Sequence, residues 1–131
     1  MSAATVLLDT HALMWWLDGD DRLSPTARAV IGDPATRVLV SAATACEIAT
    51  KHRLGKLPGA AAVAVDVEAC VAAQGFEPLA VTMADAERAS RLPGPHRDPF
   101  DRMLIAQAAA RDVALVSVEA LFDRYGVRRL W

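Results

Sequence analysis

Five carboxylates stand where a fold of strands and helices can gather them: Asp9, Glu47, Asp98, Asp101 and Glu119. Asp9 closes the apolar run Val6-Leu7-Leu8, and Glu47 lies among Ala43–Ala49, past Ser41. Asp98 and Asp101 open a helical pattern, and Glu119 follows Ser117-Val118 after a further apolar run. No histidine, cysteine or lysine recurs at those places. Like charges brought together cannot all stay ionised without a cation. Hard oxygen donors lacking sulfur or imidazole favour Mg²⁺ or Mn²⁺. Such ions lower the pKa of water and neutralise charge on a phosphate, so the chemistry indicated is metal-assisted phosphodiester hydrolysis.

Each acid also has a plainer role. Acids in the first turn of a helix interact well with its dipole. Asp98 before Pro99 is a routine N-cap, and Asp101 can complete a capping arrangement. Asp9 can cap the helix that follows it, although an acid closing a buried strand is costly without a partner. Glu119 can be an ordinary exposed residue on a short helix. No single acid decides between these readings; their convergence does, and that depends on where the strands lie.

Four short runs read as buried strands: Ala4–Leu8, Arg37–Val40, Pro78–Val81 and Ala114–Val116. They are apolar on consecutive residues, the pattern of parallel strands covered on both faces. Val127–Leu130 is expected to be an edge strand. Helices are expected over Thr10–Leu17, from Ser24-Pro25 to Ile31, and over Ala43–Leu54, Ala61–Gln74, Met83–Arg91 and Phe100–Arg111. Ser24-Pro25 and Asp98-Pro99 both carry the N-cap-then-proline signature of a helix start. Helices alternating with strands predict an α/β fold, a three-layer α/β/α domain around a mostly parallel sheet of four or five strands. No repeat, low-complexity segment or linker divides the sequence, so one domain is expected over 1–131. In open parallel sheets, sites form beyond the C-terminal ends of the strands, where four chain segments here each bring an acid.

A chain of 131 residues, 53% hydrophobic and 23% charged, can bury a core without disulfides. The two cysteines, Cys46 and Cys70, form no CxxC pair and read as small buried hydrophobes in a reducing cytosol. Met1–Leu8 lacks a basic start, Asp9 interrupts its apolar run, and no stretch is long enough to span a membrane. The expected location is the cytoplasm, with no membrane partner. A net charge of −2 argues against a large phosphate footprint but leaves room for an enzyme that grips a few phosphates through metal ions.

Several blocks resemble one known family. Val6-Leu7-Leu8-Asp9-Thr10-His11-Ala12-Leu13 followed by Trp15-Trp16-Leu17 is similar to the opening of the VapC-like PIN-domain toxins. So are Val40-Ser41-Ala42-Ala43 with Cys46-Glu47-Ile48-Ala49, and Lys51 through Leu57. The most specific block is His96 to Ala108, and the tail from Leu115 to Trp131 also fits. The resemblance covers nearly the whole chain in order. It implies a PIN-like domain and a Mg²⁺- or Mn²⁺-dependent ribonuclease, the toxin of a toxin–antitoxin pair, usually dimeric and inhibited by a cognate antitoxin. Its acids map to Asp9, Glu47 and Asp101, with Asp98 shared by a subgroup. Two positions depart from the pattern. Cys46 stands where a tryptophan or similar residue precedes the second acid, and Ser117-Val118-Glu119 stands where the family usually has Thr-x-Asp.

Around these acids, His96 and Arg97 either contact RNA phosphates or form an ordinary loop surface. Lys51, Arg53 and Lys56 either hold the phosphate backbone or complement a helix C-terminus. Arg102 is expected to pair with a neighbouring acid. Trp15 and Trp16 are expected to pack rather than stack on bases, and His11 to be a hydrogen-bonded structural residue. By analogy with the family, helices Thr10–Leu17 and Ser24–Ile31, through Leu13, Met14 and Trp16, are expected to wall a groove for the antitoxin. The leading reading is an endoribonuclease. The alternative is a catalytically weakened module that binds RNA or protein, suggested by Glu119. A third is a nuclease or phosphatase acting on DNA or small phosphates.

Overall fold

A computed structural model describes residues 4–94 and 98–131. The central sheet has strands β1 (Thr5–Leu8), β2 (Arg37–Ser41), β3 (Glu77–Leu79), β4 (Ala114–Val116) and β5 (Arg129–Leu130). They lie in the order β3-β2-β1-β4-β5, and every pairing is parallel. The expected mostly parallel sheet of four or five strands is thus wholly parallel, with five.

Parallel neighbours need helical crossovers, and these come as α1 (Thr10–Asp18), α2 (Pro25–Gly32), α3 (Ala42–Arg53), α4 (Ala61–Ala64), α5 (Val67–Ala73), α6 (Met83–Arg91) and α7 (Pro99–Arg111). A 3-10 helix, Ala120–Tyr125, joins β4 to β5. From β1 through β3 the chain travels one way across the sheet, then reverses to β4 and β5. With crossovers of one hand, that reversal moves the later helices to the opposite face. The two cores agree. Val6 and Leu8 of β1 pack with Leu13, Ile31, Ile48, Val63 and Val71, all from α1–α5. Leu7, between them, packs with Leu104, Ile105, Leu115 and Phe122 on the other side. Both faces of β1 are therefore covered, as its unbroken apolar run requires.

The helix starts follow their caps. Ser24 Oγ accepts from Ala27 N ahead of Pro25, and Asp98 accepts from Phe100 and Asp101 N ahead of Pro99. The Thr82 and Asp85 side chains form a reciprocal capping box at α6.

Three expectations need correction. The single helix over Ala61–Gln74 is two helices, because the Asp66 backbone leaves the helical conformation (φ −157°, ψ 86°) and its side chain caps α5 by accepting from Ala69 N at 2.9 Å. A mid-pattern aspartate competes with the backbone for hydrogen bonds and starts helices better than it continues them. The third strand is Glu77–Leu79, not Pro78–Val81, and it is an edge strand with Glu77 and Pro78 exposed. Its proline lacks an N–H, a loss tolerated at a sheet edge. Cys46 is exposed, on the outward side of α3, while Cys70 is half-buried; both are free thiols.

The groove walls also change. Leu13 and Met14 lie in the core. Trp16 is half-buried; its indole N–H donates to Gln74 Oε1 at 2.9 Å, and its ring lies against Phe76. Trp15 packs between His11 and Trp131, with the Arg22 guanidinium 5.0 Å from its ring centre. Both tryptophans pack, as expected.

Candidate active site

The reversal in strand order falls between β1 and β4, where an open parallel sheet leaves a crevice beyond its strand ends. Asp9 follows β1 there, and its backbone N–H donates to Val116 O at 3.1 Å. A pocket of about 180 Å³ opens at this point, lined by Asp9, Thr10, His11, Glu47, Lys51, Asp98, Asp101 and Glu119. All five acids singled out in the sequence meet in it, delivered by the β1 end, α3, the start of α7 and the segment after β4.

Asp9 is 4% exposed. It is the N-cap of α1, accepting from Ala12 N at 2.8 Å. Burial pushes its carboxyl above the usual range, against the opposing pull of the Ser117 hydroxyl and the Ala12 N–H. Ser117, fully buried, also accepts from Glu119 N at 3.0 Å, which fixes the turn that presents Glu119. Asp98 spends one oxygen on two N–H groups of α7, at 2.8 and 3.2 Å; the plain capping role expected for it is present beside its place in the pocket. Asp101, in the first turn of α7, is pushed up to about 7, first by burial and then by the negative charges of Asp98, Glu47, Asp9 and Glu119.

Glu47 is buried at 4% exposure. Its Oε1 accepts from the Thr10 hydroxyl and its Oε2 from the Lys51 ammonium. The Glu47 hydrogen bond, set against burial, raises the pKa of Lys51, and Asp98 and Asp101 add to it.

Lys51 therefore belongs to the pocket. Arg53 and Lys56 are exposed and do not line it. His96 and Arg97 lie outside the described residues. His11 lines the pocket and stacks on Trp15, with ring centres 5.4 Å apart. Arg102 donates to the backbone oxygens of Ala89, at 3.0 Å, and Leu92, tying the end of α6 to α7. The sequence reading missed Thr10 and Ser117. Both are hydroxyl residues directly beyond a strand end, beside or two residues from an acid, and that position was the available signal.

The donors suit a hard divalent cation. The pocket's five acids offer carboxylate oxygens, beside the Thr10 hydroxyl and the His11 ring, and two of these acids carry raised pKa values that a cation would relieve. The side chains as they stand do not form a coordination shell. Among the described residues no three histidine, cysteine, aspartate or glutamate side chains are gathered closely enough to hold an ion.

Residues 6–127 match the PIN domain, and the chain belongs to that family. No match is found among curated proteins. Of solved structures, the chain is similar to VapBC2 from Rickettsia felis, bound to a DNA fragment from its promoter. The TM-score is 0.66 at 11% identity, covering 97% of this chain and 99% of that one. It is also similar to VapC20 from Mycobacterium tuberculosis, a toxin that cleaves the sarcin–ricin loop, with a TM-score of 0.63 at 18% identity over 93% and 95% of the two chains. A toxin–antitoxin complex from Klebsiella pneumoniae gives 0.58 at 19% identity over 87% and 86%. At these identities the likeness is one of fold. No helix among the described residues is long and apolar enough to cross a membrane.

Proposed function

We propose that this chain is a Mg²⁺- or Mn²⁺-dependent endoribonuclease, the toxin of a toxin–antitoxin pair, working as one domain over 1–131 in the cytoplasm. The observation that carries the reading is the meeting of five acids, from four chain segments, at the switch point of a PIN-family sheet. The fold shared with a sarcin–ricin-cleaving toxin supports RNA as the substrate, and the fold shared with VapBC complexes supports an antitoxin partner.

Asp9, Glu47 and Asp101 are the residues assigned to hold the metal, with Asp98 and Glu119 at its margin. The bound ion supplies activation of water and neutralisation of the phosphate's charge. The chain's own part is positional. The Ala12 N–H and the Ser117 hydroxyl hold Asp9 in one orientation. The α7 cap fixes Asp98, and with it the first turn that carries Asp101. No side chain is assigned as general base. Lys51, Arg53, Lys56, His96 and Arg97 are assigned to the RNA backbone, Lys51 from within the pocket. We assign homodimerisation from the family pattern, and Trp16, which is only half-buried where Leu13 and Met14 are fully in the core, as a contact for the antitoxin.

The test is cleavage of end-labelled total RNA by purified, antitoxin-free protein in Mg²⁺ or Mn²⁺ beside an EDTA control. Discrete cuts that vanish in EDTA are expected. Cuts that persist in EDTA would overturn the metal assignment. The second reading, a weakened RNA- or protein-binding module, is favoured by the engagement of both Glu47 oxygens with Thr10 and Lys51. RNA binding without cuts in either metal would establish it instead.

A further inference from the structure

Glu47 and Lys51 stand one turn apart on α3, and such pairs are ordinarily weak contacts on a wet surface. This one is different. The Glu47 side chain is 6% exposed and Lys51 32%, and the pair lies inside the acid pocket. We infer that Lys51 is the resident counter-ion of this pocket when no metal is bound, holding the Glu47 oxygen that a divalent ion needs, so that metal loading exchanges the ammonium for the ion. The inference rests on reading the pocket as a metal centre.

Two observations converge on it. A buried carboxylate beside further acids requires a cation, or it must take up a proton. The chain supplies that cation itself, and Lys51 is also acted on by Asp98 and Asp101. Second, Thr10 and Lys51 together occupy both Glu47 oxygens. An ammonium on a flexible four-carbon stem is suited to the exchange, because it can swing out as a unit. Once released, its charge is free for the RNA phosphate contact assigned to Lys51 above. The same side chain then serves two states: it neutralises the empty site and meets the substrate at the loaded one.

The sequence makes the test simple, because Lys51 and Lys56 are its only lysines. Isotope-labelled lysine gives two side-chain signals by NMR, with exposed Lys56 as the internal control. During a Mg²⁺ titration the Lys51 signal is expected to move toward the Lys56 position while Lys56 stays still. Mn²⁺ binding followed by electron paramagnetic resonance supplies the second readout. If the Lys51–Glu47 contact is formed about nine times in ten, it weakens apparent metal affinity about tenfold. Lys51→Met should therefore bind Mn²⁺ about tenfold more tightly than wild type, while Lys51→Arg and Lys56→Met stay near it. Metal binding that saturates with the Lys51 signal unmoved, or a Lys51→Met variant that binds no more tightly, would overturn the inference and leave the metal centre intact. If neither wild type nor Lys51→Met binds Mg²⁺ or Mn²⁺, the metal centre itself fails, and the inference with it.

Discussion

Replacing Asp9 by asparagine separates the site's chemistry from its architecture. Asparagine keeps the shape and caps helices about as well as aspartate, so the bond to Ala12 N at 2.8 Å survives. The variant also removes a buried charge whose pKa is already raised by burial. In EDTA its melting temperature should therefore match wild type or rise. Metal should reveal the difference. An ion at about 100 times its Kd stabilises the folded state by about 2.7 kcal/mol. A chain of 131 residues unfolds with an entropy of roughly 0.28 kcal/mol/K, so wild type should gain about 10 °C in Mg²⁺. Asp9→Asn should lose most of that gain. RNA cleavage should fall by about a hundredfold or more, since even outer-shell partners of a metal are worth about 10–100-fold. The assays are differential scanning calorimetry with and without Mg²⁺, and cleavage of labelled RNA. A variant that keeps the metal-induced shift, or cuts at the wild-type rate, would refute the assignment of Asp9.

Three further outcomes follow from the titratable groups. Asp85 is buried against α7, where Arg111 donates to both its oxygens at 3.0 and 3.1 Å, and the Thr82 N–H and Gln107 also reach it. Arg111→Met leaves that carboxylate without its cation and should cost about 3 kcal/mol in urea unfolding; a loss under about 1 kcal/mol would refute this role. The second outcome is a pH optimum for metal-free stability near pH 4, where the contributions of Asp85 and Asp101 overlap. Burial pushes Asp85 up, but its hydrogen bonds from Arg111, Thr82 and Gln107 outweigh that and hold it well below the usual carboxylate range. Its contribution is present above about pH 4 and is lost as pH falls further. Asp101 works in the other direction. Its folded pKa of about 7 lies above the unfolded value, so its contribution is complete below about pH 4 and disappears as pH rises through 7. Melting curves in EDTA from pH 3 to 8 check both limbs, and Asp101→Asn should flatten the upper one. Metal binding should weaken below pH 7, because Asp101 must give up its proton to serve as a ligand.

Much of this was legible in the sequence because buried parallel strands write themselves as unbroken apolar runs. Val6-Leu7-Leu8 serves two cores at once, so no polar residue could interrupt it. Once the strands were placed, the acids fell at their C-terminal ends. Edge and helix-break positions read less well. Pro78–Val81 looks as apolar as a central strand, yet the ladder ends at Leu79. The split between α4 and α5 is decided by one aspartate side chain inside an otherwise helical pattern. The closure of Glu47 by Thr10 and Lys51 could not be read at all. Position along α3 places Lys51 one turn beyond Glu47, but whether it turns into the pocket depends on a pocket formed by distant segments. Leu13 and Met14 illustrate the same limit from the apolar side. Hydrophobicity alone does not tell a core residue from a docking surface, and both are core.

The edges of the sheet limit how this molecule can associate. β3 exposes a proline at its centre, and β5 offers two residues, with Arg129 held by Asp123 and the Ser117 carbonyl. Neither border is a good template for an added strand. Contacts with another chain, whether a copy or an inhibitor, must then form through side chains on helices and loops. Such contacts can be remodelled by a few substitutions without disturbing the sheet that carries the acids. A fold closed at its borders can thus change partners while its chemistry stays fixed.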